Sequence, residues 1–311
     1  MDVPQQRAAL TLALMAAFAD GDNDEHERAA LKQAAAAIGG GVDLTAVYED
    51  VLLRKRDLAS VAAALTTPEQ RQLAYEMAVG ICHADGSATP AEGEFLARAA
   101  QALAIPSGPA AAVTSDAAQM AAVSPASSAL DGALVATTPA PGADLDPMIL
   151  NYAIVNGALE LLPQSLASMA IIPLQMRMVY RIGKAHGYEL DGGHIKDLLA
   201  TLGVGLTSQY LEQFGRRLVG GLLGSIGGGL LGGLGRAGTG AAFSFATTYA
   251  LGQVAKRYYA GGRTFDAAGL QQAFTQMLGQ AKVMQGQYTA QIAEQARTLD
   301  LTKVMSAIKA G

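Results

Sequence analysis

Five carboxylates stand within eight residues near the start of the chain: Asp20, Asp22, Asp24, Glu25 and Glu27. So dense a cluster repels itself unless it is solvated or neutralised by a cation, and carboxylate oxygens suit the hard divalent ions Ca²⁺, Mg²⁺ or Mn²⁺. The run Asp20-Gly21-Asp22-Asn23-Asp24 begins like a calcium loop but does not finish as one. Glu25 stands where that loop needs glycine, and Leu31 where it needs a bidentate glutamate. Ala19-Asp20-Gly21 recurs as Ala84-Asp85-Gly86, an offset of 65 residues, and Glu27 recurs as Glu92. The second copy carries less charge, with Ser87, Ala88 and Thr89 where the first has Asp22, Asn23 and Asp24. The candidate metal ligands are therefore Asp20, Asp22, Asp24 and Glu27 in one turn and Asp85 and Glu92 in the other.

Both turns also read as helix starts. Asp24 and Thr89 are N-cap residue types, each followed three residues later by a glutamate at capping-box spacing, and Pro90 suits the first helical position. Capping and the helix dipole account for these carboxylates without any ligand, so a specific metal site, diffuse cation attraction and capping alone are three readings of the same residues. His26 and His83, beside the turns, read as helix-end residues rather than ligands.

The elements around the turns are helical. Apolar residues recur at three- and four-residue spacing from Ala8 to about Ile105, predicting helices over 5–19, 24–38, 43–53, 57–64, 68–84 and 90–103. A doubled Ala-Asp-Gly turn followed by glutamate, in an all-helical stretch of this length, resembles the tellurite-resistance family TerB over residues 5–105. That resemblance implies a helical bundle over 1–105 whose acidic turns form a metal-binding surface, and a role in stress response.

Residues 106–146 change character. Pro, Ser, Ala, Thr and Gly dominate, which predicts a flexible linker with at most a brief helix around Ser115 to Val123. Helical apolar stretches follow over 148–162, 165–185 and 195–218, within a domain spanning 147–265, and an amphipathic terminal helix over 266–311 suits packing or oligomerisation.

Two uncharged segments, Leu218 to Gly235 and Ala237 to Ala255, are separated by Arg236. Gly220, Gly224, Gly228 and Gly232 put small residues at four-residue spacing through the first, the pattern of helices that touch backbone to backbone. Arg216 and Arg217 precede the pair and Lys256 and Arg257 follow it, so both basic flanks would lie on one side of a membrane hairpin, facing the cytoplasm. Buried helices of a soluble domain and a homo-oligomeric glycine zipper are the alternatives. The segments Gly157 to Pro163, Ile172 to Val179, Ala185-His186-Gly187 and Phe243 to Gly252 resemble the YcjF-type domain of unknown function over 147–275. The resemblance implies membrane association and a GTPase as a partner in trans. Glu160, Gln175 and Arg177 stand out as polar groups in apolar surroundings, which predicts that each is paired structurally or sits at a helix end.

Composition narrows the function classes. A net charge of −5 supplies no basic field for nucleic acid, and Cys82 alone allows neither an internal disulfide nor a thiolate zinc cage. Met1 to Arg7 lacks the pattern of a secretory signal, which places the N-terminal half in the cytosol. Four scattered histidines and one cysteine form no recognisable nucleophile–base framework, so the expectation is a non-enzymatic, all-α adaptor at the cytoplasmic face of a membrane, with lipid and a second copy as partners. A soluble homo-oligomeric structural protein and a regulator of a GTPase are the competing expectations.

Overall fold

The computed structural model describes residues 1–21, 43–84, 86–127, 144–162, 169–202 and 234–300. They are helical throughout, with no strand among the described residues. The chain divides into two compact units, one of Met1–Ala122 with Gly205–Ala237 and the other of Val123–Val204 with Gly238–Gly311. The predicted helix over 24–38 and the glycine run 220–232 lie outside the described residues.

In the first unit α1 (Val3–Ala17), α2 (Leu44–Leu52), α3 (Leu58–Ala64), α4 (Pro68–Cys82), α5 (Pro90–Ala102) and α6 (Ser107–Ala121) succeed one another. The offset of the acidic turns extends to whole helices. α1 and α4 each hold 15 residues and begin 65 positions apart. Each starts with a capping box, Asp2 with Gln5 and Thr67 with Gln70, and each has a proline in its first turn. They pack together, burying Ala9, Leu10, Leu12, Ala13 and Leu14 on one and Ala74, Tyr75, Met77, Ala78 and Val79 on the other. Gln70 Nε2 donates to Gln5 Oε1 at 3.0 Å, so equivalent positions of the two copies meet. Contact between equivalent residues is the signature of an approximate two-fold relation.

The same offset places Leu44–Leu52 onto 109–117, inside α6. α6 buries Ala110, Val113, Ala117 and Met120 and packs on α4, as α2 packs on α1. The beginning of the expected linker at 106 is thus corrected: 107–121 is a core helix of the first unit. The part of the linker over 128–143 lies outside the described residues.

The second unit contains α7 (Asp146–Leu161), α8 (Ile171–Ala185), α9 (Gly192–Thr201), α10 (Leu234–Ala260), α11 (Ala267–Met284) and, after a 3₁₀ turn over Gln285–Tyr288, α12 (Thr289–Thr298). One continuous helix, α10, runs through Arg236, where the sequence reading places the turn of a hairpin. α12 lays Ile292 into a core with Ala153, Ala158, Ala241 and Phe245, as expected of a packing helix. Against α10 the backbone must come close: a Cβ on Gly252 would lie 2.5 Å from Ile149 Cγ2 of α7 and 3.1 Å from Met178 Sδ of α8.

Gly252→Ala gains about 1 kcal/mol in helix propensity but forces Ile149, branched at Cβ, out of place at a cost of about 1–3 kcal/mol. The expected net result is a lower denaturation midpoint by circular dichroism. Gly93→Ala, on an exposed position of α5 with open space around the new methyl, should raise the midpoint, by about 0.5–1 kcal/mol.

Candidate functional site

The first acidic turn starts where α1 stops. Phe18 caps the helix with φ −106° and ψ 10°, its ring edge-on to Tyr48 of α2 at 5.7 Å. Asp20 follows on the surface, and Gly21 adopts φ +77°, a conformation that glycine enters without a Cβ clash. The second turn repeats this: His83 caps α4 with φ −106° and ψ 9°, and Gly86 has φ +141°. The glycine of each Ala-Asp-Gly turn is therefore required by the backbone.

Glu92 is the one glutamate of the two turns among the described residues. Glu92 is buried, and its Oε2 accepts hydrogen bonds from the Thr89 backbone N–H at 2.7 Å and the Thr89 hydroxyl at 2.9 Å. The predicted capping box at Thr89 is thus formed, and it holds the Glu92 carboxylate at the start of α5. Asp22, Asp24, Glu27 and Asp85 lie outside the described residues, as does His26. Among the described residues no three His, Cys, Asp or Glu side chains gather in a way that could hold a metal. His83 is buried, with Nδ1 donating to the Val79 carbonyl at 3.0 Å, a helix-end role as expected. Cys82 is buried beside it in the core.

Of the second set of site residues, Arg216, Arg217, Gly220, Gly224, Gly228 and Gly232 lie outside the described residues. Lys256 pairs with Asp146 at 2.7 Å and Asp144 at 3.3 Å, while Arg257 is exposed. No helix among the described residues is long and apolar enough to cross a membrane. The second expected apolar arm, within α10, instead carries the polar positions Ser244 and Thr248 into the protein core. The hydroxyl of Thr248 accepts from Asn156 Nδ2 of α7 at 2.9 Å and from Gln175 Nε2 of α8 at 3.0 Å. One turn earlier Ser244 donates to Glu160 Oε2 at 3.3 Å. Arg177 donates to the Pro125 carbonyl at 2.8 Å. Glu160, Gln175 and Arg177 are thus structurally paired, as the sequence predicts. Their partners Thr248 and Ser244 were not recognised, since a lone hydroxyl in a helix carries no signal of what lies opposite.

The second unit also forms a cleft of about 240 Å³ lined by His194, Asp197, Thr201, Tyr258, Tyr259 and Arg263 among others. The Arg263 guanidinium lies 5.9 Å from the ring centre of Tyr188 and 6.0 Å from that of Tyr258. Burial pushes the Tyr259 phenol up to about 12. Sequence reasoning missed this cleft because its residues come from three helices with no common spacing.

Residues 3–117 match the family model described as a protein of unknown function (DUF533), a TerB-like family. The match ends within α6, close to the end of the first unit. No curated protein matches the chain, and no solved structure does.

Two measurements follow from these contacts. Thr248→Val keeps the shape but leaves two buried amide donors without an acceptor, so the expected loss is about 2–4 kcal/mol in denaturant unfolding, with Thr248→Ser much milder. Desolvation raises the Asp146 carboxyl, but hydrogen bonds from Lys256 and Gln253 and the Lys256 charge outweigh it, and the group sits below its ordinary value of 3.8. A carboxyl lowered in the folded state stabilises above the unfolded value and loses that contribution as pH falls through the folded one. Asp146→Asn should therefore reduce the melting temperature at pH 7, with the gap to the parent protein closing as the pH falls below 3.8.

Proposed function

We propose that this chain is a non-enzymatic adaptor at the cytoplasmic face of a membrane, in which a TerB-like unit carries an acidic turn that takes up a divalent cation. The observation that carries the reading is the first turn, where Asp20 is exposed at a glycine-bent helix exit that leads directly into the carboxylate-rich run of Asp22, Asp24 and Glu27. A hard ion such as Ca²⁺, Mg²⁺ or Mn²⁺ offsets the mutual repulsion of these carboxylates and orders the segment that bears them. The TerB likeness of residues 3–117 supports a stress-response role, with tellurite resistance as its model, and Asp85 and Glu92 are minor contributors to the cation surface.

The second unit is the associating half. Its resemblance to the YcjF-type domain rests on its sequence motifs, and from it come membrane lipid and a GTPase as partners. A second reading is a soluble homo-oligomer joined through the glycine-rich helices with Gly220, Gly224, Gly228 and Gly232. It is favoured by α10, whose Ser244, Thr248 and Gly252 face protein rather than lipid. Under the first reading Arg216, Arg217 and Arg257 face lipid headgroups, while Lys256 is held by Asp144 and Asp146.

Titration of the full chain with calcium or manganese should shift the amide resonances of Asp20 to Glu27 saturably, and Asp22→Asn/Asp24→Asn should abolish the shift. Glu92→Gln should preserve both the fold and the response, because glutamine also completes a capping box. No saturable shift at millimolar metal would leave capping as the whole explanation. Carbonate-washed membranes from expressing cells should retain the chain, and a protein that stays soluble and monomeric without detergent would sink both readings of the second unit.

A further inference from the structure

The cleft of about 240 Å³ in the second unit is walled on one side by α9, whose His194, Asp197, Leu198 and Thr201 recur at three- and four-residue spacing and so share one helical face. The end of α10 and the start of α11 supply the rest, including Tyr259, Arg263 and Leu270. Gln271 Nε2 of α11 donates to the Thr201 carbonyl at 3.1 Å and ties two of these walls together. The cleft is smaller than the roughly 300–1,000 Å³ of sites for drug-sized ligands, which suits a molecule of about ten heavy atoms.

Three polar groups of the cleft have no partner within the protein. Tyr259 is 3% exposed, its ring held 5.3 Å from that of Tyr188 and 5.2 Å from that of Tyr258. Its hydroxyl opens on the cleft and makes no hydrogen bond among the described residues. A phenol so deeply buried is a donor still to be satisfied. Arg263, at φ +63°, lays its guanidinium over Tyr188 and Tyr258 and pairs with no carboxylate among the described residues. Asp197, on the α9 wall, pairs with no cation among them. Of the other charged groups nearby, Asp191 and His194 bond each other at 2.8 Å, Asp266 caps α11 through the Gly269 N–H, and neither Lys196 nor Arg257 lines the cleft.

One cation and one carboxylate thus face the same cleft without meeting. A ligand of a single sign satisfies one of them and is repelled by the other, whereas a ligand bearing both charges answers each. Beside them Leu198, Ala267 and Leu270 form an apolar wall, and Phe265 at the rim is 41% exposed. We propose that this cleft binds a small zwitterion, an α-amino acid with an apolar side chain. Arg263 and the Tyr259 hydroxyl take its carboxylate, Asp197 takes its ammonium group, and the apolar wall takes its side chain. The inference goes beyond the adaptor reading and does not depend on it: it gives the second unit a small-molecule ligand of its own.

The test is saturation-transfer NMR of the full chain with three probes: L-leucine, 4-methylpentanoate, which lacks the ammonium group, and 3-methylbutylamine, which lacks the carboxylate. L-leucine should bind saturably, and each analogue about tenfold more weakly or worse. Arg263→Gln should weaken L-leucine and 4-methylpentanoate but leave 3-methylbutylamine unchanged, and Asp197→Asn should do the converse. Both residues are exposed, so unchanged melting curves should confirm that these variants fold. Tyr259→Phe removes a hydroxyl without a protein partner, so it should weaken L-leucine while preserving the melting temperature. No saturable binding of L-leucine at millimolar concentration overturns the proposal, as does binding that all three variants leave intact. Binding of 4-methylpentanoate as tight as that of L-leucine overturns the zwitterion and reassigns the cleft to simple carboxylates.

Discussion

The hydrogen bond from Gln70 to Gln5 joins equivalent residues of two helices that began as copies of one pattern. Much of the first unit depends on that pairing. α1 and α4 each mix small and large buried side chains, Ala9 and Ala13 with Leu10, Leu12 and Leu14 on one and Ala74 and Ala78 with Tyr75 and Met77 on the other. Their capping boxes use glutamine at the third position, which leaves amide groups free to interact across the interface where a glutamate pair would repel. Because the two helices end in the same cap geometry, both deliver the chain into an Ala-Asp-Gly turn with glycine at positive φ. The acidic turns are therefore a consequence of how a duplicated helix terminates, and after the second of them Glu92 is committed to Thr89.

In the second unit polar contacts hold helices in register within an apolar core. Thr248 accepts from two amides on two different helices, and Ser244 reaches Glu160 one turn away. A helix displaced along α10 by less than a turn breaks its own bonds to Ser244 or Thr248 inside a medium that cannot replace them with water. The close approach at Gly252 imposes the same restriction sterically, since Ile149 and Met178 occupy the space a side chain would need. Gly252 serves close packing within protein, where the absence of a side chain admits the neighbouring helices.

The helices of the first unit were legible to within a few residues because their starts carry local chemistry: Asp2, Asp43, Asp57, Thr67 and Thr89 each bond the backbone of their own first turn. α6 was not legible in this way. It begins after Pro106 without a side-chain cap, and half of its buried positions are alanine, so neither capping nor hydrophobicity sets it apart from a Pro/Ala-rich connector. The 65-residue offset that links the acidic turns would have identified it, since the same shift carries α2 onto it. In α10 the apolar run was visible but not its partners. The hydroxyls of Ser244 and Thr248 are compatible with lipid, water or a buried amide, and the choice among these depends on residues about 70 to 90 positions away.

By itself the sequence determined the all-α class, the duplication, the glycines of the two turns and the carboxylate-rich character of the first, because each of these is set by bonds and sterics within a few residues. Tertiary structure alone decided the roles of Lys256 and Thr248, the membership of α6 in the first core, and the exposure of Leu52 and Leu53. The physical reason is the range of the forces involved. Capping and backbone conformation act between near neighbours in sequence, whereas burial and ion pairing depend on which distant helix arrives on the other side.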